Sequence, residues 1–130
     1  MSAVHASALD LASIEAELRV MTGGFGVEMA VAWPVLHDRL ERPVIASVGT
    51  ERRVRLMPER VFRYALRVGA AGVVLAHNHL TNTGPSAADL AVTRRLVAAG
   101  HLLGVTLLAH LVVEPDAVHE LVGGVVSGRR

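Results

Sequence analysis

Apolar residues at Leu9, Leu11, Ile14 and Leu18, with Glu15 and Glu17 between them, follow the period of a helix that buries one face. They predict a helix over residues 7–20, ended by Thr22-Gly23-Gly24. The period then shortens. Val27 to Val35 reads as a strand, Val44 to Val48 as its partner, and Arg39 to Pro43 as the turn region between them. Pro34 has no backbone N–H to donate to a neighbouring strand, which predicts an edge position or a strand end.

Pro58 at a first helical position, followed by Glu59 and by Phe62, Ala65 and Leu66 at helical spacing, predicts a second helix stopped by Gly69. Gly72-Val73-Val74-Leu75-Ala76 is a buried strand running on towards His79. A loop follows, then a helix from about Ala87 with Ala88, Val92, Leu96 and Ala99 along one face and Gly100 as its C-terminal stop. Val105 to Val113 is almost continuously apolar, as a strand is when both its faces are covered. Glu114-Pro115-Asp116 turns the chain into a short terminal segment, and Gly123-Gly124 and Ser127 to Arg130 read as a loose tail. This order predicts a single α/β domain with one mixed sheet and helices packed on it, divided into a helical start (1–22), a core (23–122) and the tail (123–130).

Composition narrows the chemistry more than it changes the fold. The 130 residues suit one domain with a real core, and with 52% hydrophobic but only 3% aromatic residues that core is built from Val, Leu and Ala. Mean hydropathy is +0.43, yet no apolar run approaches the roughly 18 uncharged residues of a membrane span. The N-terminus has neither a basic stretch nor an apolar signal region, so the expected compartment is the cytoplasm and no membrane partner is expected. A net charge of +1 gives no global attraction to nucleic acid. All basic residues are arginine, clustered at Arg52, Arg53 and Arg55 and along one helical face at Arg60, Arg63 and Arg67. Glu51 and Glu59 interrupt the charge, so these read as a solvated face rather than a nucleic-acid surface. The absence of cysteine excludes thiolate zinc clusters and cysteine nucleophiles, and leaves His, Asp and Glu as metal ligands.

His77-Asn78-His79 carries the candidate chemistry. Two imidazoles two residues apart at the end of a strand face the same side. Asp89, ten residues further on in the first turn of a predicted helix, adds a third potential ligand. Three protein ligands with a fourth position left for water is the arrangement of a catalytic zinc. Paired histidines at a strand end also serve plain hydrogen bonding, and Ser86-Ala87-Ala88-Asp89 is by itself a capping-box pattern. The two readings are compatible, because an acid held in a helix's first turn is already oriented and ionised. His110, in an apolar strand, suits a core or supporting place and an active-site place equally; His101 is expected to be exposed, Trp33 to be packing, and His5, His37 and His119 have no partner at metal spacing.

Ala76-His77-Asn78-His79, Ser86-x-x-Asp89, Thr93-x-x-Leu96, Ala99-Gly100 and Leu103-Gly104 together resemble the RadC branch of the JAMM (MPN-type, or JAB) metalloprotease superfamily, over the segment from Ala71 to His110. Val48-Gly49-Thr50, Met57-Pro58-Glu59 and Arg63-Tyr64-Ala65-Leu66 extend the likeness upstream. The resemblance implies a three-layer α/β/α, cytidine-deaminase-like fold, and one zinc ion held by His77, His79 and Asp89 with water as the fourth ligand. It also implies an upstream glutamate that takes the water's proton. Glu28, at the start of the first strand, fits that role best, since Glu41 and Glu51 fall in turns. Ser86 is then placed to hydrogen-bond the developing oxyanion.

The implied function is a zinc-dependent hydrolase acting on a peptide or isopeptide carbonyl of a peptide or protein substrate. Two alternatives stay open: a metal-dependent nuclease or DNA-repair accessory protein of RadC type, which would bind nucleic acid, and a non-catalytic JAB-fold binding module. A nucleobase deaminase is disfavoured, because its zinc signature needs an H-x-E and paired cysteines. The chain departs from the family pattern at Leu80, where proline is usual, in a Leu80–Pro85 loop one residue shorter than usual, and at Ala109, where an aspartate is usual. The shorter loop leaves Ser86 and Asp89 room to shift relative to the histidines, although the three ligand candidates are all present. The helix-hairpin-helix segment of longer RadC-like proteins has no room here, so a stand-alone catalytic-type domain is expected.

Overall fold

The computed structural model describes residues 10–23, 26–49, 56–121 and 127–128. In chain order the elements are α1 (Leu11–Thr22), β1 (Glu28–Leu36), β2 (Arg39–Leu40), β3 (Val44–Gly49), α2 (Pro58–Val68), β4 (Gly72–Asn78), α3 (Ala87–Leu103), β5 (Thr106–Val113), β6 (Val118–Glu120) and β7 (Ser127–Gly128). The strands form one mixed sheet. β4 lies at its centre, antiparallel to β1 and parallel to β5, while β2 and β3 both pair with the far side of β1. β6 and β7 follow β5 in antiparallel order.

Helices cover both faces, as a sheet buried on both sides requires. Ala30, Ala32, Val73, Leu75 and Leu107 meet Val61, Phe62 and Ala65 of α2 and Leu96 of α3. The alternate residues Val31, Trp33, Val35, Val74, Ala76 and Leu111 meet Leu11, Ile14 and Leu18 of α1. The result is the expected α/β domain in three layers, with α1 on one side and α2 and α3 on the other. Because successive strand residues point to opposite faces, this parity directs His77 to the α2–α3 side.

Several boundaries differ from the expected ones, each for a local reason. Asp10 is the N-cap of α1 rather than part of it, its carboxylate accepting from the Ser13 amide at 3.1 Å; residues 7–9 and Gly24 lie outside the described residues. The β1 hairpin turns at His37-Asp38, not over Arg39–Pro43. Both residues have positive φ (53° and 62°), the signature of a type I′ turn, with Arg39 and Leu40 already in β2.

Pro34 sits in an interior strand, against expectation. Its carbonyl accepts from the Glu41 amide at 2.7 Å, so its missing N–H faces the same edge, where residues 41–43 interrupt the ladder between β2 and β3. α3 runs through Gly100 to Leu103 and stops at Gly104, whose φ is 77°. Gly100 serves packing instead: a Cβ there would run into the Val105 carbonyl oxygen. Ser127 and Gly128 pair with β6 rather than forming a loose tail. The cluster Arg52, Arg53 and Arg55, with Glu51, His5 and Gly123-Gly124, lies outside the described residues. Among the described residues no helix is long and apolar enough to cross a membrane.

Candidate metal centre

The end of β4 and the start of α3 bring three of the expected residues together. His77 Nε2 and His79 Nε2 are 3.2 Å apart. Asp89 places Oδ1 at 3.4 Å from His77 Nε2 and Oδ2 at 3.2 Å from His79 Nε2. Bonds of about 2.0–2.1 Å to a tetrahedral ion correspond to ligand separations of about 3.3–3.4 Å. The observed distances therefore fit a shared ion, and His77, His79 and Asp89 form a group that could hold one. Two nitrogens and one oxygen suit a divalent metal of borderline hardness.

A chain of hydrogen bonds sets the tautomer of both imidazoles. The Thr93 hydroxyl has a single proton and donates it to the Asp89 carbonyl at 2.8 Å. Its oxygen must therefore accept from His110 Nδ1–H at 2.6 Å. Burial holds the His110 imidazolium pKa well below the ordinary histidine value, so the ring is neutral and its Nε2 accepts from His77 Nδ1–H at 2.8 Å. The lone pair of His77 is left on Nε2, facing Asp89. On the other side, His79 Nδ1–H donates to Glu114 Oε2 at 2.9 Å, leaving its Nε2 for the ion. Both rings are thereby preset for ligation, the role that supporting carboxylates and carbonyls play around bound metals.

The place of His110 depends on one extra residue in β5. Val73 pairs with Leu107 but Val74 pairs with Ala109, so the ladder slips by one between them. That irregularity turns His110 towards α3 instead of α1.

Glu114, which the sequence places in a turn, is the buried partner of the candidate centre that no local pattern reveals. It is 2% exposed and its carboxylate accepts from His79, from His119 Nε2 at 3.0 Å and from the Gly84 amide at 2.7 Å. Burial opposes its ionisation, but these three donors hold its carboxyl below the usual range. His119, to which no role was assigned, thus supports Glu114. Glutamine at 114 offers one acceptor oxygen where three donors converge, and turns an NH2 group towards one of them. Glu114→Gln is expected to weaken metal affinity by about 10–100-fold, read by competition with a chromophoric chelator; unchanged affinity would mean that Glu114 does not orient His79.

Glu28 lies on the same face. Ala30 pairs with His77, and continuing that antiparallel register by two residues puts Glu28 opposite His79. Asn78 clamps the strands at this point: its Oδ1 accepts from the Met29 amide at 2.7 Å and its Nδ2 donates to the Val27 carbonyl at 3.0 Å. Burial raises the Glu28 pKa, partly offset by His79 and His77. Asp89 behaves oppositely: burial opposes its ionisation, yet the neighbouring His77 and His79 rings and the Ser86 amide hold it well below the carboxylate range.

Ser86 and Asp89 make the full capping box of α3. Ser86 Oγ accepts from the Asp89 amide at 3.0 Å and Asp89 Oδ2 from the Ser86 amide at 2.8 Å. Capping and facing the histidines are therefore the same conformation of Asp89. The shorter loop does not displace Asp89 from them, because it is anchored from below. Gly84, with φ of 74°, donates to Glu114. The Asn82 side chain pairs with both the Asp116 carboxylate (2.8 Å) and the Asp116 amide (2.9 Å). Among the remaining residues, Trp33 is buried core and His101 is exposed, as expected.

Comparison with known proteins gives a consistent result. The sequence pattern of the family described as RadC-like JAB domain matches residues 35–122. That range contains His77, His79, Ser86, Asp89 and Glu114, and begins after Glu28. A UPF0758 protein of Moorella thermoacetica is 46% identical over 68 residues, covering 52% of this chain and 30% of the relative. One of Thermotoga maritima is 44% identical over 68 residues (52% and 31%), and one of Geobacter sulfurreducens 39% over 77 residues (58% and 34%). The chain thus spans about a third of the length of these relatives.

Proposed function

From the chain's membership of the RadC-like JAB domain family, itself of the JAB/MPN type, we propose that it is a zinc-dependent hydrolase of peptide or isopeptide bonds. JAB-fold proteins include hydrolases. The observation that carries the reading is the register that sets Glu28 opposite His79, beside three groups able to hold an ion. A carboxylate next to a metal position is the pairing that hydrolysis of an amide needs.

His77, His79 and Asp89 would hold the ion. When bound, zinc supplies Lewis acidity, lowering the pKa of a coordinated water and polarising a carbonyl. Glu28 accepts the proton of the attacking water, and its raised pKa makes it a stronger base than an exposed carboxylate. The same carboxyl then delivers that proton to the departing amine nitrogen, so water is consumed and one acid and one amine are formed. Ser86 Oγ accepts from the Asp89 amide, which leaves its hydroxyl proton to donate to the oxyanion.

A mixed peptide library incubated with zinc-loaded protein and analysed by mass spectrometry tests the reading. Cleavage is expected in the loaded sample and not after chelator treatment. Absence of cleavage in a sample shown to contain zinc would contradict it.

A further inference from the structure

Away from the metal centre, α2 and β3 enclose an open groove of about 430 Å³ between Val44 and Ile45 of the strand and Arg60, Arg63, Tyr64 and Arg67 of the helix. The sequence suggested only a solvated arginine face here; the structure gives it a concave wall. Glu59 also lines the groove, but its contact with Arg63 is long, 3.5 Å, between side chains 57% and 71% exposed. Such a pair holds the arginine weakly. Arg60 and Arg67 have no carboxylate partner among the described residues.

The strand wall is unusual as well. Among the described residues β3 pairs only with β1, and no strand lies along its other edge. Ile45 and Val48 stand opposite Val31 and Met29, which pack towards α1, yet they are 50% and 57% exposed, and no helix among the described residues covers them. The edge is therefore flanked by arginines on one face and by uncovered β-branched residues on the other.

We propose that this edge and groove dock an extended acidic peptide segment, which adds to β3 as a further strand and turns alternate carboxylates towards Arg60, Arg63 and Arg67. The proposal rests on the peptide-hydrolase reading and names the substrate class that the same site would take. Guanidinium forks pair bidentately with carboxylates, and strand addition is a general mode of peptide capture. The arginines span about 10 Å along the helix axis at about 1.5 Å per residue. Alternate side chains of a strand are about 6.8 Å apart, so acids at two or three alternate positions match the wall.

The strand also leads to the metal centre. β3 ends with Gly49 opposite Glu28, while Val44 is opposite Ala32. The acidic segment would therefore lie about four strand residues, roughly 13 Å, from the reacting carbonyl along the strand direction. A nucleic-acid backbone would satisfy the arginines, but would use neither the β3 edge nor Ile45 and Val48, which favours the peptide.

The test is fluorescence anisotropy of a labelled nine-residue peptide of alternating Val and Glu, titrated with the full chain before and after chelator treatment. Binding is expected in both states. It should weaken about tenfold or more in the doubly substituted Arg63→Glu, Arg67→Glu protein, with a Lys-for-Glu peptide, and with a peptide whose central residue is proline and lacks a strand donor. Both arginines are exposed, and the altered peptides test the idea without altering the protein. No binding, equal binding to the charge-reversed protein, or stronger competition by a single-stranded oligonucleotide of the same length would overturn it. Docking without cleavage would contradict only the hydrolase reading, and cleavage without docking only this one.

Discussion

Glu28→Gln is expected to leave metal bound while lowering peptide hydrolysis by about 10²–10⁴-fold, the usual contribution of a positioned general base. Glutamine keeps the size and polarity of the side chain but cannot take a proton from water. None of the bonds that orient His77, His79 or Asp89 passes through Glu28, so the site itself should survive. The pH profile gives a second readout. The base must be ionised, so wild-type activity should fall as pH drops through the Glu28 pKa, which burial raises and a bound cation would lower. That acid limb should be missing from the residual activity of the variant. Wild-type rates in the variant, or loss of its metal, would remove Glu28 from the account.

His79→Ala is expected to weaken metal binding by more than about 100-fold, beyond the effect of disturbing a supporting residue. It removes one of three ligands and also the ring through which Glu114 acts. In the metal-free protein, the Asp89 carboxylate beside His79 raises its pKa to about 9, against burial and with help from Glu114. Below that pH an incoming ion must displace a proton. Wild-type affinity should therefore rise by about tenfold per pH unit between pH 6.5 and 9 from this group alone, and level off above. The alanine variant should lack this component. His101→Ala, at an exposed position on α3, is the control that should leave affinity unchanged.

The parts of this protein that were legible in its sequence are those that local rules determine. Pro58 and Gly69 mark the ends of α2, the run from Gly72 reads as a buried strand, and Ser86 with Asp89 announces the start of α3. The histidine pair and the acid in that first turn could be read as one group because strand alternation and helix capping each fix a direction. What stayed hidden depends on partners distant in the chain. The slip between Val73 and Val74 that aims His110 at His77 leaves no mark in an apolar run. Glu114, beside Pro115 and Asp116, has a turn composition, and only the folded loop brings Gly84, His79 and His119 to it. Gly100 looked like a helix stop because close packing on Val105 and a left-handed cap call for the same residue. The hairpin at His37-Asp38 lacked the glycine that usually announces such a turn.

The hydrolase reading rests on the three converging side chains actually holding an ion, so metal content is its most direct test. Wild-type protein purified with supplemental zinc, desalted, and analysed for metal against protein concentration should contain about one zinc per chain. Metal-free wild-type protein under those conditions would contradict the site itself, and with it the hydrolytic mechanism built on His77, His79 and Asp89.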